Sequence, residues 1–287
     1  MKSKTMNRRQ FLQTSAGLTA ASLLSGCGKS VTRKKEIPVA LQLYSVRGEC
    51  AKDFPATIAA VAEMGYRGVE FAGYYDYPAR DVRKMLDDNG LKCAGTHTAL
   101  NTVQPDALEA TIEYNQILGN RYLIVPWLSE EQRNTKAIWM QHCALFNELS
   151  ETLKPHGMMI GYHSHDFDFK PVEGVIPWDL LAASTTDDVI LQLDTANCAS
   201  AGADPLAYLK KYPGRAITIH LKEHSAAKTD AMLGQGDIPF PAILRECRTN
   251  GGTEWFIIEE EKDAIPPMEA AKICHDNLMT LLELDMN

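Results

Sequence analysis

The chain of 287 residues has no apolar run long enough to cross a bilayer, no closely spaced cysteines, no glycine-rich turn after its first strand-like run and no surplus of basic charge. Each absence removes a class of function. A membrane-spanning helix needs about 20 consecutive apolar residues, and the small-residue stretch near the amino terminus is too short for one. With 37 acidic against 29 basic side chains and a net charge of -8, the surface repels a phosphate backbone, so nucleic acid is not an expected partner. The seven cysteines show no Cys-x-x-Cys spacing, which sets aside a zinc knuckle or a dithiol redox pair. The segment "LYSVRGEC" contains no Gly-x-Gly-x-x-Gly, against an open doubly wound nucleotide fold. Composition does not shift along the chain and no segment repeats, so a single folded domain is expected.

What is present begins with "MNRRQFLQTSAGLTAASLLSGC", which runs from Arg8 and Arg9 through a short apolar stretch to Cys27. That order is the order of a secretory signal. Arg-Arg-x-Phe-Leu resembles a twin-arginine export signal, and Leu-Ser-Gly-Cys resembles a lipobox whose cysteine is lipidated and becomes the new first residue. Residues 1–26 are therefore expected to be a signal peptide, 27–36 a charged tether and 37–287 the folded domain. The expected location is the periplasm or cell envelope, with membrane contact only through a lipid on Cys27. Removing residues 1–26 takes four basic side chains and no acid, leaving the mature chain more acidic still. Twin-arginine export carries folded proteins, so a cofactor could be loaded before export. The six remaining cysteines could pair outside the cytoplasm, but most read as small buried hydrophobes.

From Ile37 onward, short apolar runs alternate with amphipathic ones. The runs "PVALQLYSV", "RGVEF", "LKCAGTH", "YLIVPW", "MMIGYH", "VILQLD", "AITIH" and "WFIIE" read as strands. Segments such as "FPATIAAVAEMG", "PARDVRKMLDDNG", "DALEATIEYNQILGN" and "AIWMQHCALFNELSETLKPHG" read as helices, several closed by Gly or Asn. About eight such units in about 250 residues predict a (β/α)₈ TIM barrel.

A barrel of this kind builds its site where the strands end. The closing residues are Glu70, His97, His163, Asp194, His220 and Glu259, with Tyr44 and Arg47 nearby after strand one and Trp127 an apolar wall after strand four. In "GYHSHDFDF" an extended chain would place His163 and His165 on one face and Asp166 and Asp168 on the other. Three consecutive acids, Glu259 to Glu261, repel one another unless a cation is close. Mixed imidazole and carboxylate donors without thiolate suit one divalent ion such as Mn²⁺, Co²⁺ or Zn²⁺.

Taken in order, "ALQLYSVR", "GYRGVEFAG", "GYHSHDFDF", "LQLDTANCASAGADPLAYLKKYPGR", "IHLKEH", "LGQGDIPFPAIL" and "EWFIIEEE" resemble the sugar phosphate isomerase/epimerase family of xylose isomerase-like TIM barrels, over nearly all of residues 37–285. The resemblance implies metal ligands at His163, Asp194, His220 and Glu259. His163 departs from the glutamate of the epimerases and is more similar to inosose dehydratases and to enzymes cleaving 3-keto-glycosides. Glu223 departs from a more usual Asp. The chemistry implied is proton abstraction beside a carbonyl, with His165 or Glu259 as base. Glu70, His97, Lys222 and Glu223 are expected to position hydroxyls or protonate a leaving oxygen, and Tyr44, Arg47, His97 and Trp127 to line the substrate. The expected partner is a small sugar or glycoside. A keto-sugar isomerase or epimerase is the alternative, and a non-catalytic carbohydrate-binding lipoprotein the second.

Overall fold

Side chains of an extended strand point alternately to its two sides, and the apolar runs are apolar at both parities, as strands covered on both faces must be. The computed structural model describes residues 36–262 and 264–286, and shows eight strands in these runs. The expected signal peptide, the lipidation site Cys27 and all but the last residue of the tether lie outside the described residues. The strands are β1 (Val39–Gln42), β2 (Gly68–Phe71), β3 (Lys92–His97), β4 (Tyr122–Val125), β5 (Met159–His163), β6 (Ile190–Gln192), β7 (Thr218–Leu221) and β8 (Trp255–Ile258).

All pair in parallel, in the order β6-β5-β4-β3-β2-β1-β8-β7. Between β6 and β7 the sheet is closed just past the end of β6, by a parallel bridge pairing Asp194 with His220. There the His220 N–H donates to the Leu193 carbonyl at 2.9 Å. The result is a nearly closed barrel. One parity, including Ala40, Tyr122, Ile124, Ile190, Trp255 and Ile257, forms a buried cluster of its own inside it. The other parity, including Leu41, Val69, Leu123, Ile160, Leu191 and Phe256, packs outward in the larger core beneath the helices.

The helices are α1 (Arg47–Lys52), α2 (Phe54–Glu63), α3 (Ala79–Asp88), α4 (Leu108–Leu118), α5 (Lys136–Leu153), α6 (Pro177–Ser184), α7 (Thr195–Ser200), α8 (Pro205–Lys211), α9 (Phe240–Thr249) and α10 (Pro267–Met286). Their ends follow local chemistry. Asp53 caps α2 by accepting from the Ala56 N–H at 3.0 Å, and Thr135 caps α5 by accepting from Ile138 at 3.2 Å. Helix α4 stops at Gly119, whose φ of 77° favours a residue without a Cβ. The six described cysteines are buried and unpaired, so they serve as apolar filling. Among the described residues no helix is long and apolar enough to cross a membrane.

Candidate active site

The inward parity that is apolar at the base of the barrel becomes polar toward the strand ends. There His163, Asp194, His220 and Glu259, from β5 to β8, each offer one donor atom, and the four atoms lie within 4.8 Å of one another. All four residues are buried. Asp194 Oδ1 accepts from the Asn197 N–H at 2.7 Å and so caps α7. Its other oxygen, Oδ2, is buried without a hydrogen-bond partner, a costly arrangement unless something electropositive completes it. Two imidazoles and two carboxylates, one of them with an orphaned oxygen, fit a divalent cation. His97 joins His163 and His220 in a second, overlapping group of donors.

Beneath this cluster lies a network that holds it in shape. Gln192, fully buried on β6, donates through Nε2 to Glu70 Oε1 at 2.7 Å and to Thr218 Oγ1 at 2.9 Å. Its Oε1 therefore faces His163 Nδ1 at 2.9 Å and His97 Nε2 at 3.1 Å. Both imidazoles must donate there, which leaves the Nε2 lone pair of His163 bare for a metal. Glu70 Oε2 accepts from Gln42 at 2.7 Å and meets His220 Nε2 at 2.5 Å. The other nitrogen of His220, Nδ1, lies 2.6 Å from Glu259 Oε2. Room for Glu70 exists because residue 95 is glycine: a Cβ there would stand 2.8 Å from Glu70 Oε1.

The charges follow from this packing. Burial opposes a charged His220, but Glu70 and Glu259 outweigh it and push the imidazole up to about 10, so a cation bound through Nδ1, the nitrogen beside Glu259, would displace the proton held there. Burial likewise raises Glu259, yet the Lys222 ammonium and His220 hold the carboxyl well below its usual range. His163 is driven well below its ordinary value by burial and by the neighbouring imidazoles. Burial lowers His165 to about 4 and raises Asp194 to about 6 against the pull of Lys222.

A family model described as xylose isomerase-like TIM barrel matches residues 58–278. The chain belongs to that family. A second model, of the twin-arginine translocation signal, matches residues 5–25 and indicates export across a membrane. Over 259 residues the chain is 23% identical to the rhizopine catabolism protein MocC of Rhizobium meliloti, covering 77% of this chain and 79% of that protein. It is also 23% identical to an inosose dehydratase of Clostridium botulinum, over 73% and 83% of the two chains. A sugar phosphate isomerase/epimerase from Parabacteroides distasonis superposes with a TM-score of 0.72 at 26% identity, covering 85% of this chain and 98% of that one.

In this xylose isomerase-like barrel the site opens into a cavity of about 590 Å³ lined by Tyr44, His97, Trp127, His163, His165 and Glu259 among others. Four sequence expectations need correction. Glu70 does not reach the cavity; its carboxylate is consumed by Gln42, Gln192, His97 and His220. Glu223 follows the inward His220 and Lys222 at the outward parity, and accepts instead from the backbone N–H groups of His224, Gly234 and Ile238 at 3.0, 2.8 and 3.2 Å. Arg47 lies over the Tyr44 ring, 4.2 Å from its centroid, and faces a neighbouring recess. The strand ends at His163, and Asp166–Phe169 is a 3₁₀ turn. There Asp168 accepts from the His165 N–H at 2.7 Å and from the Tyr162 hydroxyl at 3.2 Å, while Asp166 pairs with Lys170.

The cation needed by the three acids is supplied by lysines. Lys222 Nζ is 3.1 Å from Glu259 and also contacts Glu261, and Lys262 pairs with Glu260 at 3.1 Å. Sequence reasoning missed Gln192 and Glu261. The only signal for Gln192 was its parity with Asp194 in "LQLD".

Proposed function

We propose that this protein is an exported, metal-dependent carbohydrate enzyme that cleaves 3-keto-glycosides by removing a proton beside the carbonyl. The observation that carries this reading is the convergence of His163, Asp194, His220 and Glu259 within 4.8 Å at a cavity large enough for a glycoside. The names of the relatives, a dehydratase acting on an inosose and a sugar isomerase/epimerase, support a polyhydroxylated substrate. The four residues would hold one ion, with Mn²⁺, Co²⁺ and Zn²⁺ the candidates for this donor set. Bound there, the ion supplies Lewis-acid stabilisation of negative charge developing on the substrate carbonyl.

The chain's own residues do the rest. His165 lines the cavity and is kept neutral at pH 7 by burial. It takes the proton from C2 of the 3-keto sugar. The electron pair of that C–H bond forms the C1–C2 double bond as the C1–O bond breaks, and the Lys222–Glu261 pair returns a proton to the departing oxygen. Water adding across C1–C2 then completes a net hydrolysis. His97, Tyr44 and Trp127 border the substrate. The mature chain would begin at a lipidated Cys27 in the cell envelope.

The test is to incubate the mature, metal-loaded protein with 3-keto-glucosides and with free ketoses in deuterated water. Release of the aglycone supports cleavage. Deuterium uptake into an intact substrate would replace it with isomerisation or epimerisation, and neither event would leave a carbohydrate-binding lipoprotein.

A further inference from the structure

The cavity is divided by strand order. The loops after β1 to β4 contribute Tyr44, Ala72, Ala99, Pro126 and Trp127, whereas the ionisable lining residues His163, His165, Glu259 and Glu261 come from β5 and β8 and the loops that follow them; His97, at the end of β3, is the exception. Trp127 is 51% exposed and Tyr44 43% exposed, the two largest apolar side chains left open at the cavity. Both rings offer a flat apolar face to the cavity, and flat rings are covered best by other flat apolar faces. Arg47 lies 4.2 Å over the Tyr44 ring and donates to the Tyr44 carbonyl at 2.8 Å, which fixes the ring in place.

Equally informative is what faces the cavity with charge. Among the described residues that line it, no lysine or arginine appears. The cations around it are engaged elsewhere: Lys222 stands behind Glu259 and Glu261, Arg47 borders the separate recess, and Arg133 lies over the Phe167 ring and donates to the Leu128 carbonyl. A phosphorylated sugar would bring about two negative charges to a lining that already holds two carboxylates, with no cationic donor to receive them.

We infer that the half-cavity of Tyr44, Pro126 and Trp127 is the subsite for the leaving group, and that this group is an uncharged, flat, apolar ring; the preferred substrates are aryl glycosides rather than sugar phosphates. The inference rests on the glycoside-cleaving reading for its catalytic arm, but not for its binding arm. In the binding arm, isothermal titration of the metal-loaded protein compares 4-nitrophenyl β-glucoside, methyl β-glucoside and glucose 6-phosphate. The aryl glycoside should bind about tenfold or more tighter than the methyl glycoside, the sugar phosphate no tighter than the methyl glycoside, and Trp127→Ala should abolish the aryl advantage. Met140→Ala, an exposed apolar side chain on α5 away from the cavity, should retain it.

In the catalytic arm, the ratio of kcat/KM for the aryl and methyl 3-keto-glucosides should fall about tenfold in Trp127→Ala. Cleavage of neither compound would sink the proposed reaction while the titrations still decide the subsite. Equal affinity for aryl and methyl glycosides, tighter binding of the phosphate, or an aryl advantage surviving Trp127→Ala would overturn the subsite itself.

Discussion

Gln192 carries no charge and does not titrate, yet its amide touches Glu70, His97, His163 and Thr218. Its carboxamide oxygen fixes which nitrogen of His163 carries the hydrogen. Gln192→Met keeps the volume and removes that instruction, so metal affinity should weaken by about 10- to 100-fold. Titrating the metal-free variant with Zn²⁺ or Mn²⁺ measures this, and wild-type affinity would show that the amide is not needed. The two halves of "GYHSHDFDF" should separate in the same way. His163→Ala should lose bound metal, whereas Asp168→Ala should keep it and lose about 1–3 kcal/mol of stability, because Asp168 accepts two buried hydrogen bonds. Equal metal content in the two variants would refute the division. His163, Asp194, His220 and Glu259 were legible because charged groups at the ends of apolar runs need a reason to be there. Gln192 was not, since a neutral amide inside a strand raises no such question.

Strands were easier to place than the segments that follow them. Apolar runs locate β1 to β8 within a few residues, but some run on past the true ends: β1 stops at Gln42, whose side chain accepts from the Tyr44 N–H at 3.0 Å and begins a 3₁₀ turn. A strand end depends on such local side-chain bonds, which composition does not reveal. Glu223 entered the catalytic group through the family resemblance, yet it belongs to the loop after β7. With its carboxylate accepting from three backbone N–H groups, Glu223→Ala should loosen residues 224–238. Limited proteolysis should then cut within that loop, while metal content stays at the wild-type level. A loop as resistant as in the parent would remove Glu223 from this role.

Across the whole molecule, two histidines that do not line the cavity add to the response to acid. His142, on α5, is pushed below its ordinary 6.5 by burial, partly offset by its bond to the Gln132 carbonyl. His275, on α10, is lowered for the same reason against the pull of Asp276. Both bind a proton more readily when unfolded, so stability rises with pH through the interval between the folded value and 6.5. Their contribution is complete above that interval and is lost as pH falls through it. Urea midpoints of the chelated protein should therefore decline from pH 7 to pH 5, and the decline should be smaller in His142→Gln; an identical decline would exclude His142. The barrel as a whole was readable from eight apolar runs, because parallel strands covered on both faces leave a strong signal. How the barrel joins itself was not readable.

That join has a consequence of its own. Strand β6 has three residues, and the cylinder is shut beside it by the backbone pairing of Asp194 with His220, two of the four residues proposed to grip the ion. An ion seated there would work as a rivet through the narrowest part of the wall. Loading it should stiffen the β6–β7 edge first, and hydrogen exchange at His220 N–H should slow more than at the amides of β2 or β3.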